Sequence, residues 1–230
     1  MEHILNHEKA HQKYFEEMTA IPHGSYHEQA YSAYLVAFAK EHGLKWIQDE
    51  LYNVIIYKDA SAGYEDHAPV LLQAHTDMVC EKNKDTDFDF EKDALKLYIE
   101  DGFLKARGTT LGADDGVGVA YMLALLSDPD AKHPPLECVF TVQEEVGLFG
   151  AMALKKEYFQ AKRMINLEDG GENATCTTSA GGVNVIMQKE RILVPHDGNG
   201  YQIDVFGLHG GHSGGEIDKE HGNANKLLAR

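Results

Sequence analysis

The feature that most constrains the fold is residues 70–77, which read V-L-L-Q-A-H-T-D. This mostly apolar run contains no proline or glycine, which is typical of a strand buried on both faces of an α/β sheet. Because side chains alternate along a strand, His75 and Asp77 project to the same side at its carboxyl end. Open α/β sheets bind ligands at that end of their strands. A capped strand end with a surface histidine explains the same residues equally well, so the rest of the chain has to decide.

The same pattern recurs further along the chain, where apolar runs end or begin at acidic side chains. Residues 136–142 and 164–167 predict two more core strands, and residues 117–126 predict a buried helix. The acidic residues that adjoin these elements are Asp114, Asp115, Glu144, Glu145, Glu168 and Asp169. Strands that alternate with helices over this span indicate a doubly wound or related α/β layer structure.

Several local patterns complete this prediction. Residues 6–20 predict an amphipathic helix. Ser25 and Glu28 have the spacing of a capping box, which predicts a second helix that closes at Gly43. Short strands are predicted at residues 46–47, 54–57, 95–99 and 103–105, the last two as a hairpin around Asp101 and Gly102.

The acidic groups are expected to meet if the three strands are neighbours in one parallel layer. Several carboxylates in one crevice cannot all stay ionised without a compensating cation. One histidine among carboxylates suits zinc, manganese or cobalt better than magnesium, and the number of carboxylates suggests two ions. The structural alternative stays open, because Asp114 and Asp115 would also serve as an ordinary helix N-cap. Glu144 and Glu145 could play the same part before a short helix.

The composition narrows the class of protein. The net charge is −16, from 37 acidic and 21 basic residues, and such a surface repels nucleic acid and anionic membranes. The cysteines at positions 80, 138 and 176 lack C-x-x-C spacing, which argues against a disulfide framework and against a thiolate zinc site. Without an apolar run long enough to span a bilayer, a reduced cytoplasmic protein that binds neither nucleic acid nor membranes is expected.

Five short motifs follow one another in an order that identifies a family. They are H-T-D at 75–77, G-A-D-D-G at 112–116, E-E at 144–145, N-L-E at 166–168 and G-G-H-S-G-G at 210–215. Together they resemble the co-catalytic di-zinc exopeptidases, and most of all the aminoacyl-histidine dipeptidase branch. The resemblance implies an α/β fold with a central mixed β-sheet and helices on both faces. It also implies a catalytic domain over residues 1–182 and the beginning of an α+β lid or dimerisation domain over residues 183–230.

The resemblance further implies a set of metal ligands. These are His75, Asp114, Glu145 and Glu168, around two Zn²⁺ ions, with Mn²⁺ and Co²⁺ as alternatives. Asp114 would bridge the two ions, and the peptide bond between Asp114 and Asp115 would be cis. The dipeptidase branch usually carries aspartate where this chain has Glu168, so Asp169 is the alternative ligand at that place.

Three residues take other roles by the same resemblance. Asp77 would orient His75, and Glu144 would be the general base that acts on a metal-activated water. His212, in the lid, would contact the carbonyl oxygen of the substrate. The implied activity is the hydrolysis of Xaa-His dipeptides such as β-Ala-His, with short peptides as substrates and a second copy of the chain as a partner.

The carboxyl-terminal part departs from the family pattern. Strands are expected at residues 183–188 and 201–207 and a helix at residues 224–229, which would begin the lid. Family members continue to a last metal-binding histidine that has no counterpart here, so a C-terminally truncated chain is expected. The alternative to a dipeptidase is therefore an inactive or weakly metal-binding fragment that acts as a binding module.

Overall fold

A computed structural model of the protein describes two compact units, Met1–Thr178 and Ser179–Arg230. The residues that it describes are 3–168, 173–178, 181, 185–195, 197–210 and 216–230. The expected domains over residues 1–182 and 183–230 stay a prediction. Within the described residues, no helix combines the length and the apolar character that crossing a membrane requires.

The helices and strands of the first unit match most of the predicted elements. In chain order they are α1 (Ala10–Thr19), α2 (Gln29–Glu41), β1 (Lys45–Gln48), β2 (Val54–Lys58), β3 (Val70–His75), β4 (Leu97–Glu100), β5 (Phe103–Ala106), α3 (Ala113–Ser127), β6 (Leu136–Thr141), α4 (Phe149–Ala153) and β7 (Met164–Asn166). The predicted hairpin is confirmed as β4 and β5, which pair antiparallel around Asp101 and Gly102. The second unit contains α5 (Ala224–Leu228), which confirms the helix predicted there.

The central sheet is mixed and is flanked by helices, as the resemblance implied. Five strands lie in the order β1-β2-β6-β3-β7. Strands β3, β6 and β7 run parallel to one another, whereas β1 and β2 form antiparallel pairs. In the parallel pair of β3 and β6, Val70 lies opposite Leu136 and His75 lies opposite Thr141. The carboxyl ends of the three parallel strands therefore meet at one edge of the sheet.

The core of the first unit lies between this sheet and its helices. Helix α1 packs against α3, which packs against β3, while α2 packs against β1 and β2. Gly116 in α3 permits the close approach of α1, since a Cβ atom there would lie 2.5 Å from Met18 Cε and 3.3 Å from Phe15 Cε2. The most deeply buried side chains include Tyr31, Leu35 and Phe140.

The end of α2 is confirmed, but the predicted cap at its start is wrong. Gly43 has a φ of 64°, and the next residue, Leu44, donates its N–H to Ala39 O at 2.9 Å, which is a glycine-closed helix end. At the start, no side chain caps the helix. Ser25 Oγ donates instead to Asp77, and Glu28 accepts from Gln143 N, because both have partners in the folded chain that the local spacing did not reveal.

The third parallel strand was predicted to be a core strand, and this is wrong. In the described part of the chain β7 pairs with β3 alone, so it lies at the edge of the sheet. Its side chains are exposed, with Met164 at 63% and Ile165 at 52%. An edge position leaves one side of the strand open to solvent, whereas the apolar sequence alone suggested burial.

The strands predicted in the second unit are not formed where the structure describes it. Residues 185–188 and 201–207 have no regular structure, and residues 183–184 lie outside the described part. Their apolar side chains are exposed, as Ile186 at 80% and Tyr201 at 87% show. An extended segment becomes a strand only when another strand supplies hydrogen bonds, and sequence patterning does not supply that partner.

Gly150 in α4 lies where no side chain fits. A Cβ atom there would collide with Val142 O and would lie 2.6 Å from Asn53 Oδ1. Because the backbone has to move, Gly150→Ala is expected to lower the free energy of unfolding by about 3 kcal/mol. Urea unfolding followed by the single tryptophan, Trp46, measures this loss. Gly200→Ala is the matched control, since no atom of the described residues lies within 4 Å of its Cβ position, and equal midpoints for the two variants would contradict the prediction.

Candidate metal centre

The parallel strands bring most of the predicted site residues to one edge of the sheet. His75 ends β3 and is 1% exposed. Glu144 and Glu145 follow β6, Glu168 follows β7, and Asp114 stands near the start of α3. Because the three strands are parallel neighbours, their carboxyl ends deliver these side chains to a common crevice, as the sequence predicted.

The ring of His75 is held so that one nitrogen faces the acidic residues. Its Nδ1 lies 2.9 Å from the main-chain O of Asp77. A carbonyl oxygen only accepts hydrogen bonds, so Nδ1 donates and carries a proton. The other nitrogen, Nε2, lies 3.0 Å from Asp114 Oδ1 and 3.9 Å from Glu144 Oε2. Nε2 is therefore the atom that faces a ligand bound among these carboxylates.

The carboxylate of Asp77, which the resemblance predicts to orient His75, accepts its short hydrogen bonds from other groups. Its Oδ1 lies 3.5 Å from His75 Nδ1, farther than the main-chain oxygen of the same residue. The carboxylate accepts hydrogen bonds from Ser25 Oγ at 2.7 Å, from Glu144 N at 2.9 Å and from Glu145 N at 3.2 Å. Burial would raise the pKa of Asp77, but the interaction with His75 and the bonds from Glu144 N and Ser25 Oγ outweigh it and lower the pKa. Asp77 thus joins β3 to the loop that carries both glutamates.

Two buried residues that the sequence did not indicate hold the same loop. Glu28, 2% exposed, accepts from Gln143 N at 3.0 Å. Asn53 is completely buried, and it accepts from Val142 N at 3.0 Å and donates to Gly150 O at 2.9 Å. The local spacing assigned Glu28 to a helix cap, and for Asn53 the signal was a polar residue directly before a run of apolar ones, which is too common to assign a role.

The sequence left two explanations open for Asp114 and Asp115, a helix N-cap and a metal site. In the structure Asp115 has the contacts of an N-cap, whereas Asp114 faces His75. Asp115 is 4% exposed and accepts from Gly118 N at 3.2 Å, as an N-cap does, and from His75 N at 3.3 Å. The side chain of Asp114 is 71% exposed and points its Oδ1 at His75 Nε2. The peptide bond between the two aspartates is cis, which confirms what the resemblance implied.

Two groups of ligand atoms form in this crevice, and His75 belongs to both. The first consists of His75, Asp114 and Glu145, and the second of His75, Glu144 and Glu168. Within each group one ligand atom per residue lies within 4.8 Å of the others. The alternative ligand Asp169 and the predicted lid residue His212 lie outside the described residues.

The crevice brings several carboxylates together with a single histidine, so its acidic groups outnumber its basic ones. Burial raises the pKa of Glu145 and of Glu168, and neighbouring carboxylates raise both further. Burial also raises the pKa of Asp115 to about 7. For His75, burial would lower the pKa, but Asp77 and Asp114 outweigh it and raise the pKa to about 10. An imidazole and several crowded carboxylates are a donor set that fits a divalent cation of the zinc or manganese type.

A mixed α/β sheet that gathers one histidine and several carboxylates at its strand ends is typical of metal-dependent hydrolases. The sequence profile of peptidase family M20/M25/M40 matches residues 71–221 of this chain. The chain belongs to this peptidase family.

Individual relatives agree with this assignment. The chain is 45% identical over 218 residues to the cytosol non-specific dipeptidase of Escherichia coli K12. This alignment covers 94% of this chain and 45% of that relative. It superposes on the crystal structure of aminoacylhistidine dipeptidase from Vibrio alginolyticus with a TM-score of 0.69 and 34% identity, over 96% of this chain and 46% of that one. For aminopeptidase PepT from Bacillus cereus the TM-score is 0.60 at 25% identity, over 74% and 45% of the two chains. The chain thus spans about half the length of these relatives.

Proposed function

We propose that the protein is a dipeptidase that uses two divalent cations to hydrolyse short peptides. The observation that carries this proposal is the meeting of His75 Nε2 with carboxylates from three separate parts of the chain. The two ligand groups adjoin each other at His75, and because its Nε2 can bind only one ion, the neighbouring carboxylates would hold the second. Membership of a peptidase family supports the reaction class.

In this proposal His75, Asp114, Glu145 and Glu168 hold the cations. Zn²⁺ is the first choice because imidazole and carboxylate ligands suit it, and Mn²⁺ and Co²⁺ are the alternatives. When bound, such cations lower the pKa of a water molecule and polarise the peptide carbonyl. His75 is prepared for this role because its Nδ1 is already fixed by Asp77 O.

Glu144 is the general base of the proposed mechanism. It would accept the proton of the attacking water and pass it to the leaving amine. Its side chain is 24% exposed, so solvent and a bound peptide reach it, and its Oε2 lies 3.9 Å from His75 Nε2. Its main chain is fixed by Asp77, because Glu144 N donates to Asp77 Oδ1 at 2.9 Å, which keeps the carboxylate beside the ligands.

The proposed substrates are dipeptides, including those with a carboxyl-terminal histidine. The names of two relatives support this range, since one is a non-specific dipeptidase and the other an aminoacylhistidine dipeptidase. We place the protein in the cytoplasm, which the name of the E. coli relative supports. His212 as a substrate contact, residues 183–230 as the start of a lid and a homodimer as the assembly belong to the same proposal.

The second candidate is a metal-binding module without catalytic activity. It is favoured by the exposed edge strand β7, which leaves one side of the sheet open for pairing with another strand. The two candidates differ in whether the protein hydrolyses dipeptides, so one preparation of the protein can distinguish them.

The dipeptidase proposal predicts both metal binding and hydrolysis. After dialysis against Zn²⁺, the protein is expected to hold at least two equivalents of zinc and to cleave β-Ala-His. Elemental analysis gives the metal content, and chromatography of released histidine gives the turnover. Leu-Gly tests selectivity, and protein stripped with a chelator is the control. Zinc-loaded protein that cleaves neither dipeptide, also after exchange to Mn²⁺ or Co²⁺, would establish the second candidate.

A further inference from the structure

A second cluster of metal-ligating side chains lies at the amino-terminal end of the first unit. It consists of His3, His7 and Glu16, whose ligand atoms lie within 4.8 Å of one another. It shares no residue with the candidate metal centre. We propose that these three residues bind one Zn²⁺ ion, which clamps the amino-terminal segment onto helix α1.

The segment that carries the two histidines, residues 3–9, is already fastened to α1 by hydrogen bonds. Glu16 accepts from Ile4 N at 3.0 Å and from Leu5 N at 2.8 Å. One residue further on, Asn6 N donates to Gln12 Oε1 at 3.0 Å. Three successive N–H groups thus fix the segment, so little ordering remains to be done when a cation binds.

The two imidazole rings stand side by side at the same carboxylate. Their centroids are 3.6 Å apart, and the ring planes are inclined by 30°. His7 Nε2 lies 3.1 Å from Glu16 Oε2, and His3 Nδ1 lies 3.9 Å from Glu16 Oε1. The two histidines therefore present a nitrogen each to the Glu16 carboxylate, His7 to Oε2 and His3 to Oε1.

These distances suit a tetrahedral ion. Zinc bonds of about 2.0–2.1 Å place neighbouring ligand atoms about 3.3 Å apart. The separation between His7 and Glu16 already has this value within a few tenths of an ångström. Zinc binding requires the longer separation at His3 to close and the two stacked rings to splay apart, and rotation of His3, whose side chain is 56% exposed, allows both. A water molecule takes the fourth position.

The ligand types select among cations. Two imidazoles with one carboxylate are a common ligand set of zinc, whereas calcium and magnesium prefer oxygen ligands alone. The alternative explanation of the same geometry is a hydrogen bond between His7 and Glu16 without a bound cation. The two explanations differ in whether zinc binds, and in whether all three side chains contribute.

The test compares zinc binding by matched histidine variants of the full chain. Zn²⁺ is titrated in competition with a chromogenic chelator against the unaltered chain, His3→Ala and His7→Ala. Each variant is expected to lose one equivalent or to bind it at least about tenfold more weakly. His11→Ala is the control, because His11 stacks on Tyr121 and belongs to none of the ligand groups among the described residues. His3 is exposed, so its variant keeps the fold.

A second measurement assigns the ion to these residues directly. Co²⁺ is added to His75→Ala, which lacks the histidine of the candidate metal centre, and ring signals are followed by NMR. Strongly shifted signals from His3 and His7, with those of His42 unmoved, are the expected result. Zinc binding by His3→Ala and His7→Ala equal to that of His11→Ala would overturn the proposal. Because the dipeptidase proposal does not involve these residues, its own test succeeds or fails independently.

Discussion

On the dipeptidase proposal, Glu144→Gln is expected to lower dipeptide turnover by about 10²–10⁴-fold while the protein keeps its metal. The expected size is that of a lost general base, since the amide has the shape of the carboxylate but does not accept the proton. The ligand set of His75, Asp114, Glu145 and Glu168 stays complete in this variant, so the metal content is expected to equal that of the unaltered chain.

Steady-state kinetics with β-Ala-His and elemental analysis of the same samples give both quantities. The matched control is Glu157→Gln, which changes an exposed glutamate in a short 3-10 turn outside the candidate centre. If Glu144→Gln turns over at the rate of this control, Glu144 is not the base. If the variant loses metal and activity together, Glu144 is a metal ligand instead. Its membership of one of the two ligand groups would be consistent with that result.

On the dipeptidase proposal, His75→Ala is expected to remove at least one equivalent of metal and to abolish hydrolysis. Because Nε2 is the one ring nitrogen of His75 that faces the carboxylates, it binds one cation, and its removal is expected to weaken that cation by more than the 10–100-fold that loss of a supporting contact costs. The carboxylates that remain would then face one another without the imidazole.

The control for this variant has to separate ligand loss from damage to the fold, because His75 is 1% exposed. His133→Ala serves this purpose, since His133 is also buried, at 5% exposed, and belongs to none of the ligand groups among the described residues. Circular dichroism compares the folds, and dialysis at fixed free zinc followed by elemental analysis compares the metal contents. Equal zinc in the two variants would remove His75 from the proposed site.

The arrangement of the site was predictable where consecutive residues carry the information. Residues 70–77 predict both a strand and the side to which His75 turns, because alternation along a strand is a local rule. The acidic residues after β6 and β7 were predicted to converge with His75, since parallel neighbours end at a common edge. The order of the motifs added the family, and with it the cis peptide at Asp114.

The residues that hold the loop of the candidate metal centre in place were not predictable, because the groups they bond are distant in sequence. Ser25 bonds a residue 52 positions away, Asn53 one 89 positions away and Glu28 one 115 positions away. Local spacing assigned Ser25 and Glu28 to a helix cap, and the folded chain uses them elsewhere. The exposure of Met164 depends on strand order in the sheet, which an apolar run does not encode.

The pairing of β3 with β6 restricts where the chain tolerates insertions and deletions. Six successive residue pairs align the strands, and the last of them joins His75 to Thr141. Deleting one residue within either strand shifts this alignment and turns the following side chains to the opposite face. His75 would then no longer face Glu144, although hydrophobicity and composition would hardly change. Residues 129–132, in the loop before β6, lie outside the paired segment and are mostly exposed, so length variation among homologous chains is expected there rather than within the strands.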